Sequence, residues 1–242
     1  MQCAIVFLAG LINGLLSIMI IYKIFKLNIK HITNYIIFNA NLHTDDCKYK
    51  YIPLFIIIAC IGMAYFFYLK YSFSVDFIYY MVFSNMLITV AVLDLISGYI
   101  YPKMLMFYGL FAVLMRVFIY KINFKDILLS GIIGFTIYYL IYKFSFKIYK
   151  KEAFGFGDAV YMGCIGLFLD IFGALLSALN SFWIAMFCII IFFLAKRKYT
   201  PRLSVPFAPY MSISTLIIIF FKENMISCLI YNSFFTKGYL PQ

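Results

Sequence analysis

Long apolar runs follow one another along almost the whole chain and leave room between them only for short polar loops. Hydrophobic residues make up 66% of the 242 residues and charged residues only 12%, more than a soluble core of this length could hide. Inside a bilayer the backbone must satisfy its own hydrogen bonds, and a helix needs about 20 apolar residues to cross. The sequence therefore predicts an all-α, polytopic membrane helix bundle with about eight transmembrane helices.

The boundary between the sixth and seventh helices depends on Asp170. A carboxylate at mid-bilayer costs about 3 kcal/mol, so Asp170 is predicted to lie in a turn. The alternative, a single span Ala159–Leu179, would make Asp170 a functional candidate. The predicted helices are Ala4–Tyr22, Pro53–Leu69, Phe77–Leu93, Met104–Tyr120, Ile127–Tyr142, a short one from Asp158 to about Leu169, a long one from Ile171 to Ala195, and Pro206–Phe221.

Basic residues indicate the orientation of these helices. If the N-terminus lies outside, the inner loops hold 14 lysines and arginines and the outer segments hold 5, with Arg116 inside a span. This positive-inside bias predicts a cytoplasmic-membrane protein with Asp94 and Asp158 at the cytoplasmic face. The net charge of +11 is then a topology signal, and no nucleic-acid partner is expected.

Two aspartates stand at the ends of apolar runs. Asp94 closes the third run in "AVLDLISGYIYPK", and Asp158 opens the sixth in "EAFGFGDAVYMG". Two carboxyl groups that share one proton can hydrolyse a peptide bond, the ionised member drawing a proton from water while the protonated member polarises the carbonyl. The helix dipole favours a charged Asp158 and leaves Asp94 as the protonated partner. The alternatives are a solvated, span-ending Asp94 and a helix-capping Asp158.

Glycines and prolines flank these positions. Gly155 and Gly157 can take positive φ and allow a substrate backbone to approach Asp158, so they are predicted to form an active-site loop. Pro206 and Pro209, in "PFAPY", are candidates for structural support of the last helix. Proline is also simply tolerated in a first helical turn, so either interpretation holds for this segment.

Four segments in this order resemble the bacterial type IV prepilin peptidases, membrane aspartyl proteases of the GxGD kind. They are "GLINGLLSIMIIYKI", "LDLISGYIYP", "KEAFGFGDAVYMGCIG" and "VPFAPYMSIS". The resemblance implies that Asp94 and Asp158 are the catalytic pair. Two departures concern substrate details: the expected Ile-Pro pair is Ile100 followed by Tyr101 and Pro102, and Val160 stands where a basic residue is common.

The first inner loop departs further from the longer family members. Those carry two CxxC pairs and also methylate the cleaved pilin with S-adenosylmethionine. The cysteines of this chain show no CxxC spacing, and the loop has only Cys47, with His31 and His43 nearby, which cannot supply four thiolates to zinc. No metal is expected. S-adenosylmethionine would be needed only if methyl transfer were retained, which this loop does not favour.

The resemblance thus implies two regions and one activity. Residues 1–50 would be the first transmembrane helix with a reduced methyltransferase-like loop, and residues 51–242 the peptidase membrane core. The chain would cleave the basic leader of type IV prepilin or pseudopilin substrates without a cofactor. The alternatives are a membrane transporter or assembly scaffold that uses the aspartate pair to bind an ion or a partner, and an inactive peptidase homologue.

Overall fold

Helices account for nearly all of the chain that the computed structural model describes, which is residues 2–37, 52–149, 155–196 and 206–221. No strand occurs in these ranges. The helices are α1 (Gln2–Ile37), α2 (Ile52–Tyr71), α3 (Val75–Ser97), α4 (Pro102–Leu114) continued by a π-helical segment (Met115–Ile119), α5 (Phe124–Tyr149), α6 (Phe156–Phe168), α7 (Ile171–Lys196) and α8 (Ala208–Phe221). The predicted all-α membrane helix bundle is confirmed.

The number of full crossings is lower than predicted. Within the described ranges, six helices are long and apolar enough to cross a membrane, whereas α6 and α8 are shorter. The α6 helix has 13 residues, which at 1.5 Å per residue spans about 20 Å of a hydrocarbon layer about 30 Å thick. The chain is a multi-pass membrane protein in which two of the eight predicted helices do not reach spanning length.

The turn predicted at Asp170 is confirmed. The α6 helix ends at Phe168, α7 begins at Ile171, and the Oδ1 atom of Asp170 accepts a hydrogen bond from the Gly173 backbone N–H at 3.3 Å. Asp170 therefore satisfies one of the open N–H groups in the first turn of α7. The alternative single span Ala159–Leu179 is wrong.

The chain forms two compact units, Met1–Tyr99 and Ile100–Gln242. The helices α1, α2 and α3 pack together in the first unit. The boundary predicted between residues 50 and 51 falls within residues 38–51, which lie outside the described residues. The division into regions 1–50 and 51–242 therefore remains a prediction.

In the first unit, two glycines of α1 bring it close to α2. A Cβ atom built on Gly10 would lie 2.7 Å from the Cα of Ile61, and one built on Gly14 would lie 3.1 Å from the Cα of Ile57. Because lipid tails are as apolar as leucine, helices in a bilayer associate through close packing, which small residues at i and i+4 permit. Gly10 and Gly14 form such a contact.

Buried polar side chains join α1 to α3. The Nδ2 atom of Asn85 donates to Asn13 Oδ1 and Ser17 Oγ, both at 2.8 Å, and Asn13 Nδ2 donates to the Met81 carbonyl at 3.3 Å. All three side chains are buried within helices of spanning length. An amide without partners in hydrocarbon is costly, so these mutual hydrogen bonds favour this one register of α1 against α3.

In the second unit, glycines again allow close packing, here between α5 and α6. A Cβ atom on Gly134 would lie 2.7 Å from the Met162 carbonyl oxygen, and one on Gly166 would lie 2.9 Å from the Ser130 carbonyl carbon. Any larger side chain at these positions would meet backbone, which cannot move aside cheaply. These two glycines therefore set the distance between α5 and the helix that carries Asp158.

Hydroxyl groups link the remaining helices of this unit. Tyr161 of α6 bonds to Ser212 of α8 at 2.7 Å, and Ser212 itself donates to the Ala208 carbonyl at 2.9 Å. The single Ser212 proton is thereby used, so the Tyr161 hydroxyl is the donor. Ser177 of α7 and Thr215 of α8 form a second pair, at 2.7 Å. Interhelical hydroxyl bonds thus hold the short α8 against α6 and α7.

We expect Gly10→Ala to destabilise the protein and Gly62→Ala to leave it unchanged or slightly more stable. Alanine favours a helix over glycine by up to about 1 kcal/mol. No atom lies within 4 Å of a Cβ built on Gly62, whereas the Gly10 Cβ would overlap the α2 backbone. Overpacking of this kind costs about 1–3 kcal/mol. Thermal unfolding in detergent, followed by circular dichroism, measures both variants, and equal melting temperatures would contradict the close contact.

A second prediction concerns the end of α3, where Gly98 has φ 62° and ψ 22° in the left-handed region. No atom lies within 4 Å of its Cβ position, so a substitution tests backbone conformation alone. Gly98→Ala should lower the free energy of unfolding by about 1 kcal/mol, and Gly98→Asn by less, because asparagine tolerates this region. If the same unfolding assay gave alanine the smaller loss, the left-handed cap would be wrong.

Candidate active site

Asp94 lies inside the last turn of α3. The predicted third span stopped at Leu93, but α3 continues to Ser97, and the Gly98 N–H donates to the Asp94 carbonyl oxygen at 2.8 Å. The Asp94 side chain is 6% exposed. The interpretation of Asp94 as a solvated aspartate that ends a span is therefore wrong, because the carboxylate is held within the folded chain.

Asp158 lies in the first turn of α6, as predicted, but it does not cap the helix. The N-cap residue is Gly155, with extended backbone (φ −80°, ψ 137°), and the Asp158 N–H donates to its carbonyl oxygen at 3.2 Å. Asp158 is 8% exposed. A carboxylate in this position lies at the positive end of the helix dipole, which stabilises negative charge there.

The Asp158 carboxylate turns back over the loop that precedes it. A Cβ atom on Gly155 would lie only 3.1 Å from Asp158 Oδ2, and a Cβ atom on Gly157 would lie 3.1 Å from the Cβ of Ile100. Both glycines therefore allow close approach. The positive φ expected of them is wrong, since Gly98 is the glycine with positive φ among the described residues.

Phe156, between the two glycines, anchors the loop to α5. Its ring centroid lies 6.1 Å from that of Phe135, 6.4 Å from that of Tyr139 and 6.1 Å from that of Tyr142, with the rings edge to face. Such pairs add to the stabilisation from burial alone. The aromatic residue of the GFGD stretch thus holds the start of α6 against the α5 surface.

Tyr138 of α5 links Asp158 to the proline-bearing segment. It is fully buried, lies within electrostatic reach of the Asp158 carboxylate and bonds through its hydroxyl to Ser181 of α7. Its ring centroid lies 6.1 Å from that of Phe207, which stands two residues before Pro209. The second unit therefore brings the start of α8 and the start of α6 to the same region.

The two prolines lie where a helix tolerates them. The α8 helix begins at Ala208, so Pro206 precedes it and Pro209 occupies its first turn. The Tyr210 and Met211 N–H groups both donate to the Phe207 carbonyl, at 3.1 and 3.3 Å. Pro209 thus costs no helical hydrogen bond and introduces no kink in mid-helix. The supporting role suggested for the prolines remains a prediction.

The arrangement has the parts that carboxylate catalysis needs in each unit. Asp158, Gly155 and Gly157 belong to the second unit, and Asp94 lies near the end of the last helix of the first. Both carboxyl groups are buried at helix ends, where backbone geometry limits their movement. The convergence of Asp94 and Asp158 on one water molecule remains a prediction.

Metal and cofactor predictions concern mainly the first loop. Across residues 2–37, 52–149, 155–196 and 206–221, no three His, Cys, Asp or Glu side chains lie close enough to hold a metal ion. Cys47 and His43 lie outside these residues, so the expectation of a loop without zinc stays a prediction. The same holds for S-adenosylmethionine and for a hydrolysis that needs no cofactor.

Three residues around the site escaped sequence reasoning. Gly98 was visible only as part of a turn-like "SGY", Phe156 as an ordinary aromatic residue, and Tyr138 as one of 22 tyrosines. A clearer signal existed for α5, where Phe135, Tyr139 and Tyr142 recur at helical spacing on one face. Their common partner, however, is 14 or more residues away in the chain.

Comparison with known proteins gives one match. The model of the type IV leader peptidase family matches residues 81–194, nearly half of the chain, and the matched segment includes both Asp94 and Asp158. No curated protein and no solved structure matches the chain significantly. Over residues 81–194 the chain is similar to the type IV leader peptidase family, and the resemblance predicted from its motifs is confirmed.

Proposed function

We propose that this chain is a membrane aspartyl endopeptidase that cleaves the basic leader of type IV prepilins or prepilin-like proteins at the cytoplasmic membrane face. The family match supports a leader-peptidase-like membrane protease in general. The observation that carries the finer assignment is the position of the two aspartates: both lie within the matched segment, and both are buried at the end of a membrane helix. Buried carboxylates in an apolar helix bundle are costly unless they have a function.

The proposed reaction is hydrolysis by a proton-sharing pair. Ionised Asp158 takes a proton from water as the water oxygen attacks the peptide carbonyl, and protonated Asp94 gives its proton to the carbonyl oxygen. Collapse of the tetrahedral intermediate breaks the C–N bond, and the proton held by Asp158 passes to the leaving amine. Asp94 recovers its proton from the intermediate hydroxyl. The cycle consumes one water molecule and no cofactor.

The proposed substrate fits the membrane setting. A leader that ends before an apolar helix brings its scissile bond to the membrane boundary, where the positive-inside count predicts both aspartates. Exposed apolar side chains on the helices offer contacts for such a segment in place of lipid. Methyl transfer with S-adenosylmethionine is not part of this proposal, because the sequence of the first loop lacks the two CxxC pairs.

We expect Asp94→Asn and Asp158→Asn each to abolish cleavage, and Asp126→Asn to leave it unchanged. Asparagine keeps the size of the side chain but cannot accept or donate the proton, so the rate should fall by at least about a hundredfold. Asp126 is an exposed carboxylate in the first turn of α5 and makes a matched control. The assay reconstitutes each variant in liposomes with a synthetic prepilin, whose basic leader ends in glycine, and measures the products by mass spectrometry.

Full activity of the Asp158→Asn variant would remove Asp158 from the mechanism. If the wild-type protein cuts no prepilin but both asparagine variants alter binding of an ion or a partner, a transporter or scaffold replaces the peptidase. If neither is seen, the chain is an inactive homologue.

Gly155→Ala should slow the same reaction about tenfold, because a catalytic group displaced by a fraction of an ångström loses much of its effect. The new methyl group would meet Asp158 Oδ2 at 3.1 Å and push the carboxylate aside. Gly62→Ala is the control for a glycine replaced in open space. An unchanged cleavage rate in Gly155→Ala would show that this carboxylate position is not the reactive one.

A further inference from the structure

Arg116 is a buried cation inside a membrane span. It lies in the π-helical segment that continues α4, within the apolar stretch Pro102–Ile119, and only 6% of its surface is exposed. A charged residue at such a position is costly and is kept where it has partners and a task. The proposed hydrolysis gives Arg116 no task, so its contacts need their own explanation.

The hydrogen bonds of the Arg116 side chain lead to the C-terminal end of α6. Its Nη1 atom donates to the Leu169 carbonyl at 2.6 Å, to the Leu167 carbonyl at 3.0 Å and to the Ser130 hydroxyl at 3.4 Å. Ser130 of α5 in turn donates to the Gly166 carbonyl at 2.7 Å. Three carbonyl groups at the end of α6 are thus satisfied from α4 and α5 together.

The short length of α6 makes this contact necessary. A helix of about 20 Å leaves one end within the hydrocarbon, where its last carbonyl groups have no water to bind. A guanidinium group matches these carbonyls both by its donors and by its charge, since the C-terminal end of a helix dipole is negative. Arg116 supplies to the end of α6 what solvent supplies to a longer helix.

Asp158 lies at the other end of the same helix. Ten residues separate it from Phe168, a distance of about 15 Å along a stiff rod. Holding the carbonyl end of α6 against α4 therefore also holds Asp158 at one depth in the membrane. We propose that Arg116 is a positioning residue that sets the depth of Asp158 and, if the proposed function holds, selects the peptide bond that is cut.

Arg116→Met is the direct test, because methionine keeps an unbranched, apolar stem but removes the charge and all donors. We expect the cleavage rate to fall about tenfold and part of the product to carry a cut displaced by one or more residues. Arg116→Lys, which keeps the charge without the planar fork, should lie between the methionine variant and the wild type. Lys125→Met removes an exposed cation from the start of α5 and should leave rate and cut unchanged.

A disulfide between α4 and α6 separates positioning from any other role. A Cβ atom on Gly109 of α4 would lie 3.7 Å from the native Cys164 sulfur on α6, close to the separation of about 3 Å that a disulfide requires. Gly109→Cys is therefore made in a chain that keeps Cys164 and has alanine at the other cysteines. Diamide forms the disulfide, and a reducing agent opens it.

In the oxidised Gly109→Cys, Arg116→Met chain, we expect the disulfide to restore most of the lost rate and the original cut, and reduction to remove both. Oxidised Gly109→Cys alone is the reference. The proposal is overturned if Arg116→Met, inserted and folded, cuts the same bond at the wild-type rate, or if a disulfide confirmed by gel shift restores nothing.

If the wild-type protein cuts no synthetic prepilin, the proposed function fails and the positioning claim is decided by the disulfide itself. In the Gly109→Cys chain, the bond to Cys164 should then form at least about tenfold more slowly without Arg116, because the two helices lose their fixed register. Equal rates of formation with and without Arg116 would overturn the anchor.

Discussion

Every polar group that enters the bilayer has to find its partner within the protein, and this requirement shapes both units. In the first unit it is met by the mutual hydrogen bonds of Asn13, Ser17 and Asn85. In the second it is met by hydroxyl pairs such as Tyr161 with Ser212, and by Arg116 at the end of α6. In water each of these contacts would contribute little, because solvent competes for both partners. In hydrocarbon an orphan group costs several kcal/mol, so satisfied contacts select one arrangement of helices.

Close backbone packing is the second constraint, and glycines provide it where it matters for the site. Gly134 and Gly166 set the spacing of α5 and α6, and Gly155 leaves room for the Asp158 carboxylate to turn back over the loop. These glycines are not flexible hinges, since among the described glycines positive φ occurs at Gly98. The peptidase-like site thus depends on glycine for space at α6 and for backbone conformation at the end of α3.

The candidate site was predictable in its residues and only partly in its geometry. Asp94 and Asp158 were identified because carboxylates are scarce in an apolar chain and stand next to glycine-rich turns. Asp170 was placed correctly for the same reason, the cost of a charge in hydrocarbon. The burial of Asp94 within α3 was missed, because a hydropathy pattern ends a span at the first charge, whereas a helix ends where its cap lies, at Gly98.

The sequence by itself determined the fold class, the multi-pass character, the turn at Asp170 and the two acidic residues, because each follows from local hydropathy or from a short motif. Only the tertiary structure decided that Phe156 packs on α5, that Gly155 lies against the Asp158 carboxylate and that Arg116 holds the far end of α6. Most of these contacts join residues from different helices. Hydropathy records how strongly each helix prefers the membrane, but not how it is rotated or shifted against its neighbours, which is decided by side-chain packing and hydrogen bonds between them.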